Sequence, residues 1–279
     1  QLEHIVVDDA SADDTAAVVG KFSDRRVRYL RHTENRGAAA ARNTGIEASN
    51  GQYIAFLDAD DEYLPRKLER QLKAFLELPP EYGVVYCQGH RILPDGSSRL
   101  IPEKKLRPAS GHIHKQLLER GFVDSVAPLV KRECLDSAGL FDVRLPRSED
   151  KELWMRVSKE FAFYYLKQPL YKAYLQPDSL SRDQQARLVS QCLILEKHRE
   201  EMRQHPSVLA DRLHTVGNLL CQKGELREGR RYLAQAVTTD PPGLKSLVAW
   251  LTSLAGRHTY RTVLKVKRRL ARQRLTVHD

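Results

Sequence analysis

The chain has 279 residues, 41% of them hydrophobic, enough for one large domain or a domain with an appendage built on a filled core. Lys and Arg number 46 against 36 Asp and Glu, and the formal charge of +10 favours an anionic partner: nucleotide phosphates, acidic lipid or nucleic acid. No apolar run of about 18 residues and no basic-then-apolar N-terminus occurs, and Cys87, Cys134, Cys192 and Cys221 form no C-x-x-C. A membrane span, a signal peptide and a zinc knuckle are therefore not expected; reduced thiols in a cytoplasmic protein are.

In chain order, Ile5–Val7 is a predicted strand, followed by a turn and N-cap cluster from Asp9 to Asp13 and the apolar positions Ala17, Val18 and Phe22 of a helix. A second strand fits RVRYLRH. The small-residue stretch NRGAAAARNTGIEASNG predicts a helix stopped at Asn50-Gly51, and Tyr53–Leu57 a third strand. Leu64, Leu68, Leu72 and Phe75 form a helical stripe, with Pro65 suited to its first turn and Pro79-Pro80 beyond its end. YGVVYCQGHRI is a further strand, turning at Pro94-Asp95-Gly96. SGHIHKQLLERGF reads as helical, SVAPLVKRE as extended, and SEDKELWMRVSKEF as a helix burying Leu153, Trp154 and Val157. Strands alternating with helices predict an α/β fold with a mostly parallel sheet over 1–181, whose ligands bind at the carboxyl ends of strands.

From Arg182 the strand signals vanish, and residues 182–279 read as a helical appendage. Within about 210–243, Gly217, Gly224, Gly229, Leu233, Ala236 and Pro241 stand at the offsets of a tetratricopeptide repeat. One such repeat makes no solenoid, so a plain helical hairpin and a partner-binding repeat both stay open. The segment 258–275 reads as a basic amphipathic helix, with Arg261, Lys265, Lys267, Arg268, Arg269, Arg272 and Arg274 around Val263, Leu264, Val266 and Leu270. An anionic membrane surface and plain solvation are its two readings. It lacks interleaved aromatics, so nucleic acid is not an expected partner.

Two groups of carboxylates stand at strand ends: the pair Asp8-Asp9 and the cluster Asp58, Asp60, Asp61 in YIAFLDADDEYLP. Oxygen ligands of this kind suit Mg2+ or Mn2+, which takes one or two carboxylates together with substrate phosphates. Capping of the helix after Leu64 is the competing reading, though one cap needs only one aspartate. Glu149-Asp150 likewise reads as ordinary first-turn acids, and His112 and His114 as solvent-facing histidines rather than metal ligands.

Taken in order, VVDDASADDT, NRGAAAARNTGIEASNGQYIAFLDADDEYLP and SEDKELWMRV closely resemble the family 2 glycosyltransferases over about 5–181. The resemblance implies a GT-A, Rossmann-like nucleotide-sugar fold and inverting transfer from a UDP-, GDP- or dTDP-linked donor to a saccharide or lipid-linked acceptor, in cell-surface polysaccharide or glycolipid synthesis at the cytoplasmic face of a membrane. By the same resemblance Asp8 and Asp9 serve the donor, with Asp8 at the base, and Arg42 contacts the diphosphate or base. Asp58 lies between ribose and metal, Asp60 is the direct ligand of Mg2+ or Mn2+, and Asp61 orients or caps. Asp150 is the catalytic base, with Glu149 shaping the acceptor side.

Two departures from the family pattern shape the expectations. The strand and turn of type V-S-V-I-I-P-T-Y-N that ordinarily precede V-V-D-D do not occur in this sequence, which predicts missing donor contacts and a strand unpaired on one side. A fragment of a longer product, or a non-catalytic remnant that uses its helical tail as a scaffold, is the alternative reading. Where many relatives carry Y-R-x-H before P-x-S-x-S, the chain has Ala173-Tyr174-Leu175-Gln176 before PDSLS, leaving Lys172 to supply positive charge.

Overall fold

The first strand, β1 (His4–Asp8), pairs in parallel with β2 (Val27–Arg31), the short helix α1 (Thr15–Val19) lying between them in sequence. Helix α2 (Ala38–Ala48) draws its stability from a run of alanines, the best helix formers, and ends at Ser49 in extended conformation. The computed structural model describes residues 2–176, 183–241, 244–256, 258–260 and 262–263, which divide into two compact units, Gln1–Arg182 and Asp183–Asp279. In the first, β1 and β2 form a sheet of their own, and among the described residues β1 carries a ladder on one side only.

The larger sheet has the order β3-β7-β5-β8-β4, with β6 attached to β5. Its strands are β3 (Tyr53–Ala55), β4 (Glu62–Tyr63), β5 (Tyr82–Ile92), β6 (Ser98–Ile101), β7 (Pro128–Lys131) and β8 (Ala162–Tyr174); helix α3 (Lys67–Glu77) falls between β4 and β5. Helices α4 (His114–Glu119), α5 (Arg132–Ala138) and α6 (Glu149–Val157) complete the unit. The central strand β5 has Val84, Val85, Tyr86 and Cys87 wholly buried, as expected of a strand covered on both faces. Helix α6 seals the core through Leu153, Trp154 and Val157, all fully buried, with Trp154 edge-on to Phe163.

The α/β class stands, but the parallel majority does not: β1–β2 and β5–β8 are parallel and the other four pairings are antiparallel. Connection length is the reason. Parallel neighbours need a crossover of a dozen or more residues, which β5 and β8 have in α4 to α6. The hairpin at Leu93–Ser97 returns β6 directly against β5, and β4 follows β3 with only the aspartate turn between them, so it finds β8 instead.

Helix α3 also differs from expectation. It starts at Lys67, after Arg66 in a left-handed conformation, so Pro65 lies outside it. Leu72 is 40% exposed, while the buried face is Lys67, Gln71 and Phe75. Lys67 folds its aliphatic stem inward. Its Nζ donates to Gln71 Oε1 at 2.8 Å and sits 4.0 Å over the Tyr63 ring. Burial pulls its pKa down to about 8. The helical prediction over SGHIHKQLLERGF shortens to α4, where His112 is exposed and His114 Nδ1 meets Ser158 Oγ at 2.9 Å.

The second unit holds α7 (Gln184–Lys197), α8 (Arg199–Arg203), α9 (Pro206–Lys223), α10 (Leu226–Thr239) and α11 (Leu244–Leu254). Helices α9 and α10 form a hairpin turned by Gly224 at φ 111, over the stretch read as repeat-like. Gly217 and Gly229 let them touch: a Cβ on Gly229 would stand 2.8 Å from the Gly217 carbonyl. The PDSLS segment and the part of the expected basic helix beyond residue 263 lie outside the described residues.

Candidate active site

Helix α2 has no capping side chain of its own, because its cap comes from 28 residues upstream. Asp9 Oδ2 accepts the Gly37 N–H at 2.7 Å and Oδ1 the Arg36 N–H at 2.9 Å, placing a carboxylate at the helix N-terminus where the dipole favours it. His32 stands between Asp9 Oδ1 (2.7 Å from Nδ1) and Thr44 Oγ1 (2.9 Å from Nε2). Burial pushes Asp9 up, but these donors outweigh it and hold its pKa below the usual carboxylate range. Asp8 is buried beside it. Its oxygens accept from the Tyr29 hydroxyl and, at 2.7 Å, from the Ser11 N–H, which bring its pKa down to about 2. Both Asp8 oxygens are thus spent inside the protein, and Asp9 is the more exposed of the pair. Ala10, next in line, is left-handed at φ 61.

One turn into α2, Arg42 gathers three distant parts of the chain. Its Nη2 donates to Asp58 Oδ1 at 2.6 Å and its Nη1 to Glu149 Oε1 at 2.5 Å, while the guanidinium lies 5.5 Å over the Phe141 ring. Burial would lower the Arg42 pKa, but Asp58 and Glu149 prevail and raise it above its ordinary value, so the cation is permanent. Ser125 donates to the other Asp58 oxygen at 3.2 Å.

The turn after β3 splits the aspartates. Asp58 faces inward to Arg42 and Ser125, whereas Asp60 is exposed and has no partner among the described residues. Asp61 does not cap α3. It accepts the Tyr174 N–H at 3.0 Å from the end of β8, and burial pushes its pKa up to about 7, with Asp58, Asp60 and Asp124 adding repulsion. Tyr63 ties the turn down by donating to the Phe56 carbonyl at 2.6 Å. Lys172 pairs with exposed Glu62 at 3.1 Å.

Glu149 and Asp150 open α6 behind Ser148, another left-handed residue at φ 62. Asp150 Oδ1 accepts the Lys151 N–H at 2.8 Å. Burial raises its pKa to about 6, opposed by Lys151 and Arg42 and reinforced by Glu149 and Asp124.

Several residues of this cluster carried no sequence signal. Asp124, paired with Arg91 at 2.6 Å, bears electrostatically on both Asp61 and Asp150. It and Ser125 are a polar pair between Val123 and Val126, with nothing in their spacing to mark them. His32 and Phe141 could be found only through their long-range partners.

Among the described residues no group of three or more His, Cys, Asp or Glu side chains is arranged to hold a metal ion by itself. The donor chemistry still fits a hard divalent cation completed by phosphate oxygens: Asp60 has a free carboxylate, and Asp61 binds its proton tightly among uncompensated negative charge. No helix among the described residues is long and apolar enough to cross a membrane.

Comparison with known proteins gives the family. The sequence model of Glycosyl transferase family 2 matches residues 1–139, a span that holds Asp8, Asp9, Arg42 and Asp58 to Asp61 and stops short of Glu149. The chain is 34% identical over 178 residues (60% of it) to the amylovoran biosynthesis glycosyltransferase AmsB of Erwinia amylovora. It is 31% identical over 158 residues (57% of it) to the UDP-Glc:alpha-D-GlcNAc-diphosphoundecaprenol beta-1,3-glucosyltransferase WfgD of Escherichia coli. It spans 58% of the length of each, and as little as 25% of other relatives. The crystal structure of S. aureus TarS 1-349 superposes with a TM-score of 0.61 at 19% identity, covering 96% of this chain and 82% of that one, a likeness of fold. The chain belongs to the family 2 glycosyltransferases, with relatives in polysaccharide biosynthesis, and its fold is GT-A.

Proposed function

We propose that the chain transfers a sugar from a nucleoside diphosphate-sugar to a hydroxyl of a saccharide or lipid-linked acceptor, with inversion at the anomeric carbon, in the assembly of cell-surface polysaccharide. The observation that carries this reading is the Arg42 bridge. One permanent cation joins Asp58, in the aspartate turn after β3, to Glu149 at the start of α6, which supports reading the two as donor-side and acceptor-side carboxylates. The E. coli relative is named for UDP-glucose and a diphosphoundecaprenol-linked acceptor, which supports that class of substrates here.

In this reading Asp9 and the loop it holds form the nucleotide wall, braced from behind by buried Asp8. Arg42 lies ready for the diphosphate. Asp60, with Asp58 and Asp61 behind it, would hold Mg2+ or Mn2+, which when bound supplies positive charge to the departing diphosphate. Asp150 takes the proton of the attacking hydroxyl as the new C–O bond forms and the nucleoside diphosphate leaves. A base with raised proton affinity suits that task near neutral pH. Glu149, fixed by Arg42, shapes the acceptor side.

Calorimetric titration with UDP-, GDP- and dTDP-sugars, with Mn2+ and with chelator, tests this. We expect one nucleotide class to bind with Mn2+, and Asp60→Asn to weaken it by at least about tenfold by removing one charged ligand. Absence of binding by every donor in the presence of Mn2+ overturns the reading.

A further inference from the structure

In the second unit, α11 buries Ser246, Ala249 and Ser253 and turns its most apolar side outward. Leu244 is 72% exposed, Leu247 37%, Val248 41%, Leu251 51% and Leu254 52%. These are the i, i+3, i+4, i+7 and i+10 positions of a single helix face, a contiguous apolar stripe rather than scattered leucines. The charge around it is equally one-sided. Residues 241–279 contain nine Lys and Arg and one acidic residue, Asp279, so eight of the chain's ten net positive charges fall in its last 39 residues.

The two observations point to one kind of partner. An apolar face next to an acid-free basic run matches a surface that offers hydrocarbon and negative charge together. A second copy of the chain would carry the same excess of positive charge in this part of its sequence, and repulsion opposes that pairing. We propose that the outward apolar face of α11 docks on an anionic phospholipid membrane, the leucines entering the acyl boundary and the net positive charge of this end of the sequence drawing the chain to the surface. This surface is independent of the sugar-transfer reading, since none of its residues belongs to the Arg42 cluster.

Co-sedimentation of the full chain with lipid vesicles tests it. Binding is expected to vesicles of phosphatidylcholine with phosphatidylglycerol and not to phosphatidylcholine alone, and to weaken in high salt. Leu247→Glu/Leu251→Glu is expected to reduce it at least about tenfold, and Lys267→Gln/Arg268→Gln/Arg269→Gln by a similar factor. Because the leucines are exposed, melting followed by circular dichroism should match the parent; the glutamine variant serves as an independent arm should it not. Equal sedimentation with both vesicle types, or binding unchanged in both variants, overturns the proposal. So does a concentration-dependent dimer that the leucine variant abolishes, which would give the stripe to a second copy.

Discussion

Asp150 sits at a helix N-terminus, where a carboxylate is ordinarily comfortable, yet burial beside Glu149 and Asp124 raises its pKa to about 6. Two effects of opposite sign follow. As a proton acceptor it must be ionised, so kcat/KM at saturating metal is expected to fall about tenfold per pH unit below 6, and Asp150→Asn to lower kcat by about 10²- to 10⁴-fold. For folding, the ordinary carboxyl ionises near 3.8 and the folded one near 6. The folded form then binds more protons between those values, and stability falls as pH rises through the window. Asp150→Asn should therefore melt higher than the parent at neutral pH while losing turnover, a combination that a merely structural aspartate would not show. The left-handed backbones of Ala10 and Ser148, one just after Asp9 and one just before Glu149, place local strain at the same two ends of the cluster.

At the level of elements, α3 carries a buried cation that no ion pair satisfies among the described residues, only Gln71 and the Tyr63 ring. Lys67 loses its proton near pH 8 when folded and near 10.5 in the open chain. Between those values the unfolded state binds more protons, so this residue makes the fold more stable as pH rises. Lys67→Met removes that dependence. The difference in denaturation free energy between parent and variant should shrink by about 3 kcal/mol from pH 7 to pH 10.5, measured by urea titration at each pH. The same helix shows why sequence reading reached only so far. Leucines at i, i+4 and i+8 pointed to one face, but packing chose the face with Lys67 and Gln71, because a lysine stem is as apolar as a short hydrocarbon. Strands β1, β2 and β5 were legible from alternation and turn residues. Strand β4, two residues long, has no local signal and exists only through β8, and β8 itself is interrupted by Pro169. Asp9 could be recognised as a binding or capping residue, but its partner helix begins 28 positions later, a distance local pattern does not span.

Across the whole molecule, charge and chemistry are segregated by position in the chain. The first unit holds every residue of the candidate site, and the last 39 residues hold most of the net charge. Among the described residues β1 pairs with β2 alone. The bridge from Arg42 to Glu149 has a consequence for how the first unit comes into being. Its two ends are 107 residues apart, so closing it before β3 to α5 have folded between them costs the entropy of a long loop. Loss of the site and loss of the fold should then be a single event. Trp154, on α6 five residues after Glu149, reports that event: in a Trp250→Phe background its fluorescence and donor binding are expected to vanish at the same urea concentration, with donor affinity serving as a gauge of completed folding.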